Sequence, residues 1–472
     1  MTINRQRRTR GAMIALLASL AAMPADAAEP TVDELQRQID ELKAMVAELK
    51  AAARPQAPPP VAMAAPAAAA PAPAVLAAPS AIVLTPPPRR GKPWYEKLTL
   101  RGYTQLRLNE IVSGDASAPA GVSRLRSIGD SNITNANNFS FRRIRLILQG
   151  DLNDHVSLYL QPDFATAVSG QSAGERREGF GQLRDAYVDW FPLKDHSLRL
   201  RFGQSKVPFG WENLQSSSAR LALDRTDGIN SAVPSERDLG VVAYYTPPQV
   251  QLIWNRLTAD GQKLFGNYGA FGLGLFNGQG TNRTETNNSL MFVAMATWPF
   301  ALDGLGLDGQ VLEVGGAIMR NRVQPEIRTG GVSALSYADN RVGFHAMLYP
   351  QPIGFQAEWN WGTGPQWDDV TRSIQEKPLE GGYVQAMARV KHSPLGPFMP
   401  FARWQHYRGG FKGALNAPRL ETDELELGIE FQPTPPLELT LTYGHAKRRE
   451  ADERRSGRAE GDILRAQLQF NY

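Results

Sequence analysis

The stretch from Phe141 to Phe164, FRRIRLILQGDLNDHVSLYLQPDF, constrains the fold more than any other part of the chain. It reads as two strands joined by a short polar turn. In the second strand Val156, Leu158 and Leu160 alternate with Ser157, Tyr159 and Gln161. In the first, Ile144, Leu146 and Leu148 alternate with Arg143, Arg145 and Gln149. Period-two hydrophobicity gives each strand one apolar and one wet face. Arginines on the wet face of a membrane-bound chain point to the lumen of a β-barrel.

The N-terminus supports export. Arg5, Arg7, Arg8 and Arg10 precede an apolar run from Ala12 to Met23 and the small-residue motif Ala25-Asp26-Ala27, the pattern of a cleaved signal peptide over residues 1–28. The apolar run is too short to span a bilayer as a helix. Removing this segment takes away four arginines and one aspartate, lowering the formal charge from +4 to +1. The mature chain is therefore not globally basic, and no nucleic-acid surface is indicated. Any preference for anions has to come from local placement of Arg and Lys. The chain has no cysteines, so stability is expected from barrel closure and not from disulfides.

Residues 29–53 carry a heptad seam, Val32, Leu35, Ile39, Leu42, Val46 and Leu49, with Asp33, Glu34, Asp40, Glu41 and Glu48 outside it. This is a short coiled-coil helix that needs partner helices for stability, on the periplasmic side of an exported chain; an amphipathic helix packed on the protein's own body is the alternative. Residues 54–93 form an Ala/Pro-rich linker, in which Pro58, Pro59, Pro60, Pro66, Pro71, Pro73 and Pro79 exclude a regular helix. Trp94-Tyr95 reads as an interfacial aromatic pair opening a domain over 94–472.

From Leu98 onward alternation recurs. Leu98, Leu100, Leu106 and Leu108 oppose Thr99, Arg101, Gln105 and Arg107, and Leu198, Leu200 and Phe202 oppose Arg199, Arg201 and Gly203. Leu425, Leu427, Ile429 and Phe431 oppose Glu424, Glu426 and Glu430. The final strand sets Leu464, Ala466, Leu468, Phe470 and Tyr472 against Arg465, Gln467, Gln469 and Asn471. Long polar stretches (109–138, 165–181, 205–238) alternate with short turns (150–155, 191–196), as in outer-membrane barrels. The expected fold is an all-β transmembrane barrel of about sixteen antiparallel strands. A soluble β-sandwich also alternates, but it explains neither this rhythm nor the terminal aromatic.

No catalytic or cofactor motif is present: there is no Walker loop, HExxH, GxSxG or metal-spaced His/Cys set, so neither an enzyme nor a cofactor is expected. The informative residues are basic. Phe139 and Phe141 occupy odd positions while Ile144, Leu146 and Leu148 occupy even ones, so one extra residue sits at Arg142-Arg143. A β-bulge there would aim both arginines into the lumen. The long segment 203–240 interleaves Lys206, Arg220, Arg225 and Arg237 with Glu212, Asp224 and Asp227, and carries Ser216, Ser217 and Ser218. It is either a solvated external loop or a loop folded into the pore.

The chain resembles the phosphate-selective porin family of Gram-negative outer membranes. The likeness lies in FRRIRLILQGDLNDHVSLYLQPDF, RDAYVDWFPLKDHSLRLRFGQSKVPFG, SERDLGVV and FNGQGTNRTETNN. It implies a homotrimer of sixteen-stranded barrels in outer-membrane lipid, with the third long loop inside the channel. It also implies a constriction of arginine and lysine with a nearby aspartate, which passes inorganic phosphate or other small anions. By motif position Arg142 and Arg143 match the paired arginines, Asp185 the acidic residue of DAYV, Lys206 the lysine of the VPFG turn and, more loosely, Arg220 a loop cation. The inward glutamates Glu424, Glu426 and Glu430 leave open a general porin for small anionic or polar solutes. A third expectation is a structural tether to periplasmic partners through residues 29–53; deleting 31–92 would abolish a tether while leaving conductance.

Overall fold

The computed structural model describes residue 40 and residues 93–116, 121–167, 178–266, 268–394 and 396–472. The signal peptide, coiled coil and linker expected over 1–93 lie outside the described residues, apart from residues 40 and 93.

Sixteen antiparallel strands close into one barrel in simple sequence order. They are β1 (Thr99–Ser113), β2 (Asn138–Asn153), β3 (Val156–Ala167), β4 (Glu178–Trp190), β5 (Leu198–Lys206), β6 (Arg237–Tyr245), β7 (Phe271–Phe276) and β8 (Met291–Ala301). The second half holds β9 (Val311–Val323), β10 (Tyr337–Leu348), β11 (Ile353–Asp368), β12 (Ser373–Ala388), β13 (Phe398–Gly410), β14 (Arg419–Thr434), β15 (Leu437–Ala451) and β16 (Ala459–Asn471). Closure pairs β1 with β16, and the terminal residue takes part: Tyr472 N–H donates to Gly102 O at 3.0 Å and Gly102 N–H to Tyr472 O at 2.6 Å. A side chain at Gly102 would place its Cβ 2.3 Å from Arg145 O and 2.6 Å from the Tyr472 ring, so only glycine permits the join.

The alternation read from sequence sorts the faces correctly. Leu100, Leu425, Leu441 and Leu464 are exposed on the outer wall, whereas Arg107, Arg143, Arg145, Arg201, Gln467 and Gln469 are buried inside it. The extra residue in β2 is also where the pattern put it. Gln105 pairs with Arg143 and Leu106 with Phe141, leaving Arg142 unpaired in the ladder. Phe139 and Phe141 face out before the bulge, and Arg142 and Arg143 both turn inward.

Two features depart from the expected rhythm. At the end with the long loops, the β11–β12 connection is only 369–372. At the end with the short turns, the β6–β7 connection runs over 246–270 and contains a helix, Pro248–Ala259. This segment crosses the barrel mouth. Lys263 Nζ lies 2.8 Å from the Glu430 carboxylate on β14 and 3.3 Å from Glu438 on β15, half the ring away from β6. Asp260 pairs with Arg389 (2.8 Å) and Lys391 (2.6 Å), and Trp254 Nε1–H donates to Glu313 at 3.0 Å.

The interior is divided as a result. Inward residues of β6 to β10, among them Val242, Tyr244, Phe276, Met291, Val293 and Met319, pack with Trp254 and Phe265 of the strap and with Phe209 and Trp211 into one apolar core. The inward face of those strands is largely apolar, broken by buried polar residues such as Glu313, Asp339 and Arg341. Polar lumen is left on the β1–β5 and β14–β16 side.

Candidate functional site

The segment 207–236 between β5 and β6 (loop 3) folds into the barrel and does not extend into solvent. Its two short helices, α1 (Trp211–Leu214) and α2 (Asp227–Ala232), are wholly buried. Strands on the far wall hold it. The Glu358 carboxylate accepts the N–H groups of Trp211 (2.8 Å) and Glu212 (2.9 Å), Arg403 pairs with Glu212 at 3.2 Å, and Arg448 pairs with Asp227 at 2.6 Å. Its tip reaches the near wall, where Ser217 Oγ is 2.7 Å from Tyr103 Oη and accepts from Arg145 at 3.0 Å. Beneath the loop, Trp211 packs on Phe265 of the strap (5.9 Å between ring centres), and Gln215 Nε2–H donates to Lys263 O at 3.2 Å. Loop and strap thus narrow the lumen together.

Above loop 3, toward the long-loop end, lies a cavity of about 630 Å³. Its lining carries eleven arginines and one lysine against five carboxylates, a local excess that the nearly neutral chain as a whole does not have. Such a concentration of one sign in a concave wall raises the local concentration of anions.

Three of the residues picked out from sequence line this cavity: Arg142, Arg143 and Arg220. Arg142 reaches Asp224 of loop 3 at 3.0 Å and donates to Gly129 O. Asp224 is shared with Arg107 (2.9 Å) and Arg465, and Asp130 joins the same group through Arg107 at 2.6 Å. Burial pushes the Asp224 carboxyl up, but Arg107, Arg465 and Arg142 hold it well below the usual carboxylate range. This knot fastens loop 3 to β1, β2 and β16.

Arg143 is different. It is 5% exposed, its guanidinium donates to Gln105 Oε1 at 2.7 Å, and no carboxylate pairs with it among the described residues. Its Nε–H has no acceptor among the described residues. A buried guanidinium with unspent donors on a cavity wall is placed to receive an oxyanion.

Arg220 donates to the Glu236 carboxylate at 2.5 Å and to Gln215 O at 3.1 Å. The remaining two expected residues do not line the cavity. Asp185 is buried against Arg237, 2.9 Å away. Lys206 points under loop 3 and donates to the carbonyls of Asn213 (2.9 Å) and Gln215 (2.7 Å). It ties the first turns of the loop back to the end of β5. The inward glutamates are each answered: Glu424 by Arg448, Glu426 by Arg403 at 2.7 Å, and Glu430 by Lys263.

Sequence reasoning passed over several lining residues. Arg145 shares the inward face with Arg143 two positions on, a signal that was available. Arg124, Arg328 and Lys412 arrive from separate loops, and no local pattern marks them.

The model for the family described as phosphate-selective porin O and P matches residues 119–472. Several solved structures resemble this chain at low identity. An anion-selective porin from Comamonas acidovorans is 11% identical, with a TM-score of 0.47, over 79% of this chain and 99% of that one. OmpF of Salmonella typhi, solved with daunomycin, is 12% identical with a TM-score of 0.48, over 79% and 97% of the two chains. The trimer form of OmpT from Vibrio cholerae is 9% identical with a TM-score of 0.46, over 79% and 99%. No curated protein sequence matches. With the family model spanning most of the barrel, the chain belongs to the phosphate-selective porin O and P family and is an outer-membrane channel, not an enzyme.

Proposed function

We propose that the barrel passes phosphate and related oxyanions across the outer membrane, entering through the arginine-rich cavity above loop 3. The observation that carries this reading is Arg143, a buried cavity-wall guanidinium without a carboxylate partner among the described residues. An oxyanion entering a narrow pore loses water, and guanidinium donors replace that hydration with paired hydrogen bonds. Arg142 and Arg220 contribute charge beside it, and their carboxylate partners Asp224 and Glu236 keep the wall from trapping the ion. Asp185 and Lys206 act through the loop's framework: one holds Arg237, the other holds the first turns of loop 3.

The working unit is proposed to be a homotrimer, following the family resemblance. The five carboxylates in the lining favour, as a second reading, a general porin of low selectivity for small anionic or polar solutes. Uptake into liposomes separates the two. Phosphate entering faster than a neutral solute of the same size supports selectivity, and equal rates support the general porin.

A further inference from the structure

Glu236 closes loop 3, just before β6, and lines the cavity floor while being only 4% exposed. Five cationic side chains surround its carboxylate. Arg220 lies at 2.5 Å, Arg225 at 3.4 Å, Lys206 at 3.9 Å and Arg184 at 4.0 Å, with Arg237 in direct contact. Asp185 answers Arg237 from behind. Within these seven side chains, cations exceed carboxylates by three. A buried surplus of that size is unfavourable unless further negative charge reaches it. Arg220 Nε–H, in a residue 7% exposed, has no acceptor among the described residues, so donor capacity remains at the cradle.

The backbone is bent to put the carboxylate there. Ser235 and Glu236 both have left-handed φ values, 64° and 74°, a region that residues other than glycine rarely adopt. Strain of this kind persists where the surroundings over-determine the conformation, and it collects at functional sites.

We propose that Glu236 is a tethered counter-ion: its carboxylate occupies part of an oxyanion site whose cavity-lining cations are Arg184, Arg220 and Arg225, with Lys206 and Arg237 behind them outside the cavity, and a passing phosphate-like anion shares that site with it. Five cations without the carboxylate would hold a dianion too long for throughput. The fixed negative charge weakens the hold and speeds release, which conduction requires. The inference rests on the oxyanion-channel reading and names the residue that sets dwell time.

The test is phosphate block of chloride current in planar bilayers. Glu236→Gln keeps the side chain's size and removes its charge. The phosphate concentration for half-block should then fall about tenfold, as expected when one nearby opposing charge is lost. Glu236→Gln combined with Arg225→Gln removes one charge of each sign and should return the value to within about threefold of the parent. Arg225→Gln alone should raise it, and this variant remains informative if Glu236→Gln does not assemble. An unmoved or raised half-block in Glu236→Gln, an unmoved one in Arg225→Gln, or a double variant as tightly blocked as Glu236→Gln would overturn the proposal. Cation selectivity of the parent protein would instead overturn the oxyanion-channel reading beneath it.

Discussion

Lys263 Nζ lies 2.8 Å from the Glu430 carboxylate, although Lys263 belongs to the β6–β7 connection and Glu430 to β14 on the opposite wall. The pair draws a strap across the short-turn mouth. With Asp260 on Arg389 and Lys391, it anchors the strap on the far side of the mouth.

Loosening the strap should therefore widen the channel. Replacing Lys263 by Gln removes one charge from a site where Glu430 and Glu438 face each other's repulsion. Single-channel conductance of Lys263→Gln is expected to rise by about half or more, with larger current fluctuations, because a strap that has lost a half-buried paired cation samples open positions. Conductance equal to the parent's would show that the strap does not limit flow.

The Asp260 latch makes this gating pH-dependent. Burial alone would raise the Asp260 carboxyl, but hydrogen bonds from Lys391 and Arg389 lower it below its ordinary 3.8. A carboxyl depressed in the folded state stabilises that state above the ordinary value and loses the contribution as pH falls through the lower folded value. The strap should stay latched at neutral pH and loosen only under acid conditions, below 3.8. Asp260→Asn should show the acid-type fluctuations already at pH 7, which noise analysis of single-channel records would detect.

The bulge at Arg142 yields a prediction about assembly. Deleting either arginine of the pair leaves one, and the strand then alternates without interruption from Phe139 to Leu148. The shortened chain should still form a heat-modifiable barrel, with the Arg142–Asp224 tie lost and phosphate block weakened. Inserting one alanine after Leu146 should instead impair barrel assembly, because it turns every later side chain of β2 to the wrong face. Band shifts of heated and unheated samples on a gel distinguish the two.

Lys206 should matter for folding more than for ions. Lys206→Met leaves the carbonyls of Asn213 and Gln215 without their donor, at a cost of about 2–4 kcal/mol. The expected outcome is a lower unfolding midpoint in denaturant, with phosphate block changed less than in Arg143→Ala. The reverse order of effects would place Lys206 on the ion's path.

Most of the barrel was legible in the sequence because alternation is a direct record of two solvents. Leu464, Phe470 and Tyr472 face outward and Arg465, Gln467 and Gln469 face the lumen, and the residues say so. The bulge was legible for the same reason, as a slip of parity between Phe141 and Ile144. The strap was not. The helix Pro248–Ala259 turns Val250, Trp254 and Leu257 into a core made by strands remote in sequence, so nothing local marks which mouth it covers. The site was half legible. Arg142 and Arg143 stood out on one strand, whereas Glu236 gains its meaning only when Arg184, Lys206 and Arg220 converge on it from separate positions in the fold.

The most direct test of the account is the response of chloride current to phosphate in planar bilayers, measured for the parent protein and for Arg143→Ala. The account predicts anion-selective current that millimolar phosphate blocks. It also predicts a half-blocking concentration about tenfold higher in Arg143→Ala, the loss expected when a charge-assisted hydrogen-bond donor is removed. Cation-selective current, or current indifferent to millimolar phosphate, would contradict it.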